Sequence, residues 1–88
     1  MIDNIPTTLS EAINELDNII SKEDKEYLSE HGALSVHHSL GRWIRNNWKL
    51  WDDDSILKFN IVKLGFTHPD DISNYIIEQF IQHLKQNG

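Results

Sequence analysis

The sequence predicts an all-α fold, a compact orthogonal bundle of four to five short helices in which residues 1–88 form a single domain. Apolar residues recur at helical spacing along most of the chain, and helix-start signals stand between the apolar segments. No stretch alternates apolar and polar residues for long enough to indicate a strand. A chain of 88 residues has no room for a second core.

The first helix is predicted to begin after Thr8. Thr8 and Glu11 have the spacing of a capping box, in which the hydroxyl accepts a hydrogen bond from a free backbone N–H and the carboxylate accepts one from the cap residue's own N–H. The predicted apolar stripe consists of Leu9, Ala12, Ile13, Leu16, Ile19 and Ile20.

The second helix is predicted to be short and mostly polar. Ser21 is its expected N-cap, and two acidic residues follow at the positive end of the helix dipole. Tyr27 and Leu28 are its only apolar anchors. Gly32 is expected to end it, because glycine adopts the left-handed conformation at a helix C-terminus.

The third helix is predicted to run from Leu34 to Trp48. Its inward face is expected to consist of His37, Leu40, Gly41, Ile44 and Trp48. Because glycine inside a helix costs about 1 kcal/mol relative to alanine, we expect another helix or a tryptophan ring to pass close to Gly41. The adjacent face carries a cationic stripe, His38, Arg42, Arg45 and Lys49.

The fourth helix is predicted to follow the acidic loop Asp52–Asp54, with one of these residues or Ser55 as its cap. It is expected to run to Leu64 and to end at Gly65. The candidate core residues are Ile56, Leu57, Phe59, Ile61, Val62 and Leu64.

The fifth helix is predicted to begin at Pro69, whose missing N–H is not needed in a first turn, and to continue to about Lys85. Its main apolar stripe is Ile72, Tyr75, Ile76, Phe80 and Leu84. Ile77 and Ile81 widen the apolar face, so a self-association contact is expected there. The third and fifth helices are expected to form the centre of the bundle.

Composition excludes several classes of function. The net charge of −6 argues against nucleic acid and against an anionic membrane surface as partners, because both repel an acidic protein. The chain has no cysteine, so disulfides and thiolate metal sites are excluded, which suits a reducing compartment. With no signal peptide and no membrane span in the sequence, we expect a cytoplasmic protein.

Three segments carry a resemblance to a known family. They are PTTLSEA (residues 6–12), LGRWIRNNWKLW (40–51) and GFTHPDDIS (65–73). Together they resemble a family of small bacterial proteins catalogued as a domain of unknown function, number 6794. The resemblance implies a compact helical domain and carries no known activity, cofactor or partner. The chain departs from the family at Lys49, where glycine is common, which leaves the local turn geometry open, and at Ile72, a conservative replacement of methionine.

A metal or catalytic site is not expected. Adjacent His37 and His38 point about 100° apart on a helix and do not easily reach one ion. The chain has no cysteine nucleophile, no Gly-rich phosphate loop and no serine elbow. The sequence therefore predicts no enzyme, no metal and no cofactor. The alternative is a small-ligand or metal-dependent enzyme that uses a fold-assembled group of His37, His68, Asp70 and Asp71.

Arg45 is predicted to form a structural ion pair with Asp70 or Asp71. Its planar guanidinium suits a carboxylate, and the pair would join the third helix to the start of the fifth, with Asn46 bonding to nearby backbone. The functional alternative is that Arg42 and Arg45 receive an anionic ligand or an acidic patch of a partner.

The tryptophans divide between the core and the surface. Trp48 and Trp51 are expected in the core. Trp43 stands beside Arg42 and is either a cover for the first helix or a partly exposed interface anchor. The hypothesised partner-binding residues are His38, Arg42, Trp43 and Lys49.

The sequence thus favours a non-catalytic protein-interaction or regulatory module of a bacterial cell or its mobile elements. Its partner is expected to be another protein or a second copy, bound through the Trp43 and Arg42 surface or through the Ile77 and Ile81 surface. One version is an acidic inhibitor or immunity-type protein that uses the Asp52–Asp54 loop and the early Glu/Asp cluster against a basic partner.

Overall fold

Helices provide all the regular structure in residues 5–52 and 54–87, the part of the chain that the computed structural model describes. The five α-helices are α1 (Leu9–Ile19), α2 (Lys22–His31), α3 (Arg42–Asn47), α4 (Ile56–Val62) and α5 (Pro69–Asn87). A 3₁₀-helix (Ala33–Val36) and a π-helical turn (His37–Gly41) join α2 to α3. No strand occurs within these residues, so the predicted all-α fold is confirmed.

The start of α1 is capped as predicted, with one difference. The Thr8 hydroxyl accepts from the Glu11 N–H at 3.1 Å. The Glu11 carboxylate, however, accepts from the N–H and the hydroxyl of Thr7, at 2.8 and 3.0 Å, and not from the N–H of Thr8. Because these hydrogen bonds favour the charged form, they hold the pKa of Glu11 below its usual value. Along the predicted stripe Leu16 is fully buried, but Ile19 is exposed and its placement in the core was wrong.

The helix α2 has the predicted ends. The Ser21 hydroxyl accepts from the Asp24 N–H at 3.2 Å, and Gly32, with a φ of +86°, ends the helix. Leu28 is buried, whereas Tyr27 is about half exposed. A single buried anchor makes α2 a lightly packed helix.

A continuous third helix from Leu34 to Trp48 was wrong. The segment is helical throughout, but in 3₁₀, π and α form in turn. Side chains take backbone carbonyls that a regular helix would use: the Ser39 hydroxyl donates to Val36 O at 3.3 Å, and Arg45 Nη2 donates to His37 O at 3.3 Å. This competition accounts for the widened turn.

The C-terminus of α3 is closed by a Schellman motif. The Leu50 N–H donates to Arg45 O at 3.0 Å, and Lys49 stands between them with a φ of +55°. The motif places Leu50 beside Ile44, and both side chains are fully buried. Glycine is the usual residue at the left-handed position of such a motif, so the lysine there carries a conformational cost.

The helix α4 buries only one of its two apolar faces. Ser55 caps it, accepting from the Lys58 N–H at 3.1 Å; Asp53 of the preceding acidic loop lies outside the described residues. Leu57 and Ile61 are buried against α1 and α5. The core prediction was wrong for Ile56, Phe59 and Leu64, which are all more than half exposed.

The helix α5 is the centre of the bundle, since every other helical element contacts it. Its buried residues include Ile72, Ile76, Ile77, Phe80 and Ile81. The predicted self-association face at Ile77 and Ile81 was wrong, because the other helices of the same chain cover both side chains. No helix among the described residues is long and apolar enough to cross a membrane.

The Glu11 cap predicts an acid-dependent part of the stability. The folded-state pKa lies below the usual value of 4.5, so the stabilisation is present above that value and is lost as the pH falls through the folded-state pKa. We expect Glu11→Gln to lower the melting temperature at neutral pH and to match the parent in acid. Glu15→Gln, which removes the same charge from the same helix without touching Thr7, is the control. A Glu11→Gln deficit that persists unchanged in acid would contradict the assignment.

The left-handed Lys49 predicts a stabilising substitution. Lys49→Gly is expected to raise the free energy of unfolding by about 1 kcal/mol, because glycine has no Cβ to strain at positive φ. The melting temperature should rise by roughly 4–8 °C. Lys49→Ala, which keeps the Cβ, should give no such gain; an equal gain would show that the lysine side chain and not the backbone is responsible.

Candidate functional site

The centre of the chain is a buried arginine. Arg45 is 6% exposed and lies where α3 crosses the first turn of α5. Its guanidinium has three partners from two elements: Nε lies 3.2 Å from Asp70 Oδ1, Nη1 donates to Ser73 Oγ at 2.9 Å, and Nη2 donates to His37 O at 3.3 Å. The arginine thus joins the π-helical turn, α3 and α5.

Two small residues complete this arrangement. Ser73 is fully buried, and its hydroxyl accepts from Arg45 and donates to Asp70 O at 3.0 Å. A Cβ at Gly41 would lie 3.1 Å from Arg45 Nη1 and 3.7 Å from Ser73 Oγ. The close neighbours expected at Gly41 are therefore the arginine and α5, and not a tryptophan ring.

The structure separates the two predicted carboxylate partners. Asp70 is paired with Arg45, whereas Asp71 is exposed and makes no ion pair among the described residues. Consecutive helical side chains diverge by about 100°, so only one of them reaches the same cation. Asn46 is exposed, and the backbone contact expected of it is made by Asn47, whose Nδ2 donates to Trp43 O at 2.9 Å.

His68 caps α5. Its Nδ1 accepts from the Asp70 N–H at 3.0 Å, so that nitrogen carries no proton and its 3.8 Å approach to Asp70 Oδ2 is not an ion pair in this tautomer. The Trp51 ring stands edge-on to the His68 ring with centroids 6.1 Å apart, and Trp51 is 54% exposed. The core placement of Trp51 was therefore wrong, because the loop after the Schellman turn carries it to the surface.

The structure gives the histidine and aspartate group other contacts. His68 and Asp70 hold the start of α5, and the His37 ring packs edge-on against the His38 ring at 5.1 Å. Among residues 5–52 and 54–87, no three His, Asp or Glu side chains lie close enough together to hold a metal ion.

The four hypothesised partner-binding residues are all exposed. We call His38, Arg42, Trp43 and Lys49 the basic face. Trp43 is 39% exposed, and its ring rests edge-on against Trp48 at 5.8 Å, while Trp48 itself is buried. Between Glu30 and Asp52 the chain has no acidic residue, so this face is cationic on an acidic protein.

Two surface features were missed by sequence reasoning. One is the outer side of α4 with Ile56 and Phe59. The other, which we call the α2 groove, is an open cavity of about 430 Å³. Its lining residues are Ile20, Asp24, Tyr27, Leu28, Ser35, Val36, Ser39 and Leu40. The signal for the groove was the weak apolar face of α2, which cannot cover the segment beside it.

Comparison with known proteins gives one match. The family model described as Domain of unknown function (DUF6794) matches residues 5–84. No curated protein and no solved structure matches the chain.

The Arg45 geometry predicts strong coupling with Asp70. Asp70→Ala leaves a buried guanidinium without its counter-ion, so it should destabilise the protein by about 2 kcal/mol, less than for a fully buried pair because Asp70 is about half exposed. In an Arg45→Met background the same change should cost little. Urea unfolding of the four proteins gives the coupling energy.

Asp71→Ala is the matched control, since it removes an equal charge from the next position of the same helix turn. Its effect should add to that of Arg45→Met. Equal coupling of both aspartates to Arg45 would mean that the interaction is a general charge effect and not the 3.2 Å contact.

Proposed function

We propose a protein-interaction role for this chain, which belongs to the family described as Domain of unknown function (DUF6794). In this proposal the chain is a non-catalytic module that binds an acidic surface of a partner protein through its basic face. Its setting is the cytoplasm of a bacterial cell, which the absence of cysteine suits.

The observation that carries the proposal is the exposed Trp43, whose ring is held against the core. A tryptophan buries up to roughly 250 Å² when it is fully covered, and 39% of Trp43 remains available to a partner. Its ring is already held against Trp48, so little rotamer freedom would be lost on binding. Tryptophan and arginine are the residue types that most often dominate binding energy, and Arg42 is the next residue along the chain.

The charge pattern indicates the chemistry of the partner. Residues 9–31 contain seven Asp or Glu and two Lys, a net charge of −5, whereas residues 31–51 contain two Arg and one Lys and no acid. Arg45 is internal, so Arg42 and Lys49 are the cations available at this surface. An acidic patch on a protein matches two separated cations, while the flanking acids would repel the continuous charge of a nucleic acid.

A capture experiment tests the proposal. The tagged full chain is used to capture proteins from a lysate of the source cell at low salt, in parallel with Trp43→Ala and Arg42→Glu. We expect a specific protein that the parent retains and that both variants lose by about tenfold or more, because each change removes a central contact. The retained protein should dissociate as salt is raised.

Phe59→Ala is the matched control, because Phe59 is a large aromatic residue that is 62% exposed on a different helix. All variants must show the parent's melting temperature within about 1 °C. A captured protein that binds equally well without Trp43 and Arg42 would contradict the assignment of this face, and no enrichment over the tag alone would contradict the role.

A further inference from the structure

We propose that the basic face binds the α2 groove of a second copy of this chain, so that the protein forms a two-fold dimer with Trp43 of each copy in the groove of the other. This inference rests on the proposed function and names the partner.

The α2 groove has the size and lining for an aromatic side chain. Its volume of about 430 Å³ lies in the range of pockets that hold small organic ligands. Apolar side chains of α2, of the segment before α3 and of Ile20, the residue after α1, form most of its wall, and Tyr27 is about half exposed. The rim hydroxyls of Ser35 and Ser39 already donate to backbone carbonyls, at 2.6 and 3.3 Å, so an indole would not leave them unpaired.

The two surfaces have opposite charge. Asp24 lines the groove on a helix that also carries three glutamates, whereas Arg42 adjoins Trp43. Within residues 5–52 and 54–87 neither Asp24 nor Arg42 has an ion-pair partner; the nearby Lys25 is paired with Asp17 at 3.0 Å. A second copy that inserted its Trp43 would bring an unpaired arginine to an unpaired aspartate.

The two surfaces are also neighbours on one molecule. Ser39 and Leu40 line the groove, and Trp43 follows Leu40 by three residues, a spacing that places side chains next to each other on a helix. A two-fold axis between two copies exchanges such neighbouring surfaces, so that Trp43 of each copy meets the groove of the other. In this dimer both basic faces and both grooves are occupied, so neither is left to bind a third chain.

The association state of the full chain tests this inference. Sedimentation equilibrium from about 1 µM to about 1 mM should show a monomer–dimer equilibrium. Trp43→Ala should weaken it by about tenfold or more, and Phe59→Ala should leave it unchanged. A monomer over the whole range, or a dimer that Trp43→Ala does not weaken, overturns the inference.

Exchanging the charges of Arg42 and Asp24 tests whether the α2 groove is the site that receives Trp43. Arg42→Glu and Asp24→Arg should each weaken the dimer about tenfold or more, and the double variant should recover most of the loss because its pair is reversed but intact. Two losses that simply add would overturn the Asp24 contact. Asp24 also lies in the first turn of α2, so circular dichroism must show an intact fold before this comparison is made.

An NMR dilution series tests the dimer with the parent chain alone, so it does not depend on the stability of any variant. The indole N–H signal of Trp43 should move with concentration, while that of the exposed Trp51 should stay constant. Movement of Trp51 without Trp43 overturns the inference.

The association and capture experiments together distinguish the dimer from the proposed function. A chain that stays monomeric but still captures another protein through Trp43 overturns the self-pairing and leaves the interaction role standing. Capture of untagged copies of this chain alone supports both.

Discussion

The burial of one guanidinium is the constraint on which the rest of this structure depends. Arginine cannot shed its charge at any ordinary pH, so a buried Arg45 must be surrounded by acceptors. The three that it finds belong to His37, Asp70 and Ser73. Each acceptor belongs to a distinct local feature: the His37 carbonyl to the π-helical turn, Asp70 to the first turn of α5, and Ser73 to a fully buried position of α5. A Cβ at Gly41 would lie 3.1 Å from the guanidinium, so a larger residue there would make the arginine shift by a few tenths of an ångström.

The rotation of α3 follows from that burial, and the basic face follows from the rotation. With residue 45 turned toward α5, residues 44 and 48 lie on the same inward side at helical spacing, and both are buried. Arg42 and Trp43 are then turned outward. Trp48 supports Trp43 from below through their edge-on contact, so the exposed indole rests on a core side chain and not on a mobile one. The proposed recognition residues and the core residues therefore occupy adjacent positions of one short helix.

Sequence reasoning recovers the features that depend on local chemistry. The caps at Thr8, Ser21 and Ser55 are set by the hydroxyl next to a helical pattern, and the pairing of Arg45 with the start of α5 follows from the geometry of its side chain and the placement of acids at a helix N-terminus. The sequence could not predict how many faces of each helix its neighbours cover. The seven residues of α4 are apolar on both sides, so periodicity does not say which side is buried. In α5 the opposite error arises: Ile77 and Ile81 look surplus until the surrounding helices are placed.

Substitutions of buried residues and substitutions of exposed residues around α3 are expected to have different effects. A change at Arg45, Ser73 or Gly41 acts on the packing of α3 against α5, so any loss of binding that it causes must pass through a loss of stability. A change at Trp43 or Arg42 removes side-chain atoms that already contact solvent, so it can abolish recognition while the core stays intact. Lys49 belongs to both kinds, since its left-handed backbone directly precedes the buried Leu50 and its side chain is exposed on the basic face.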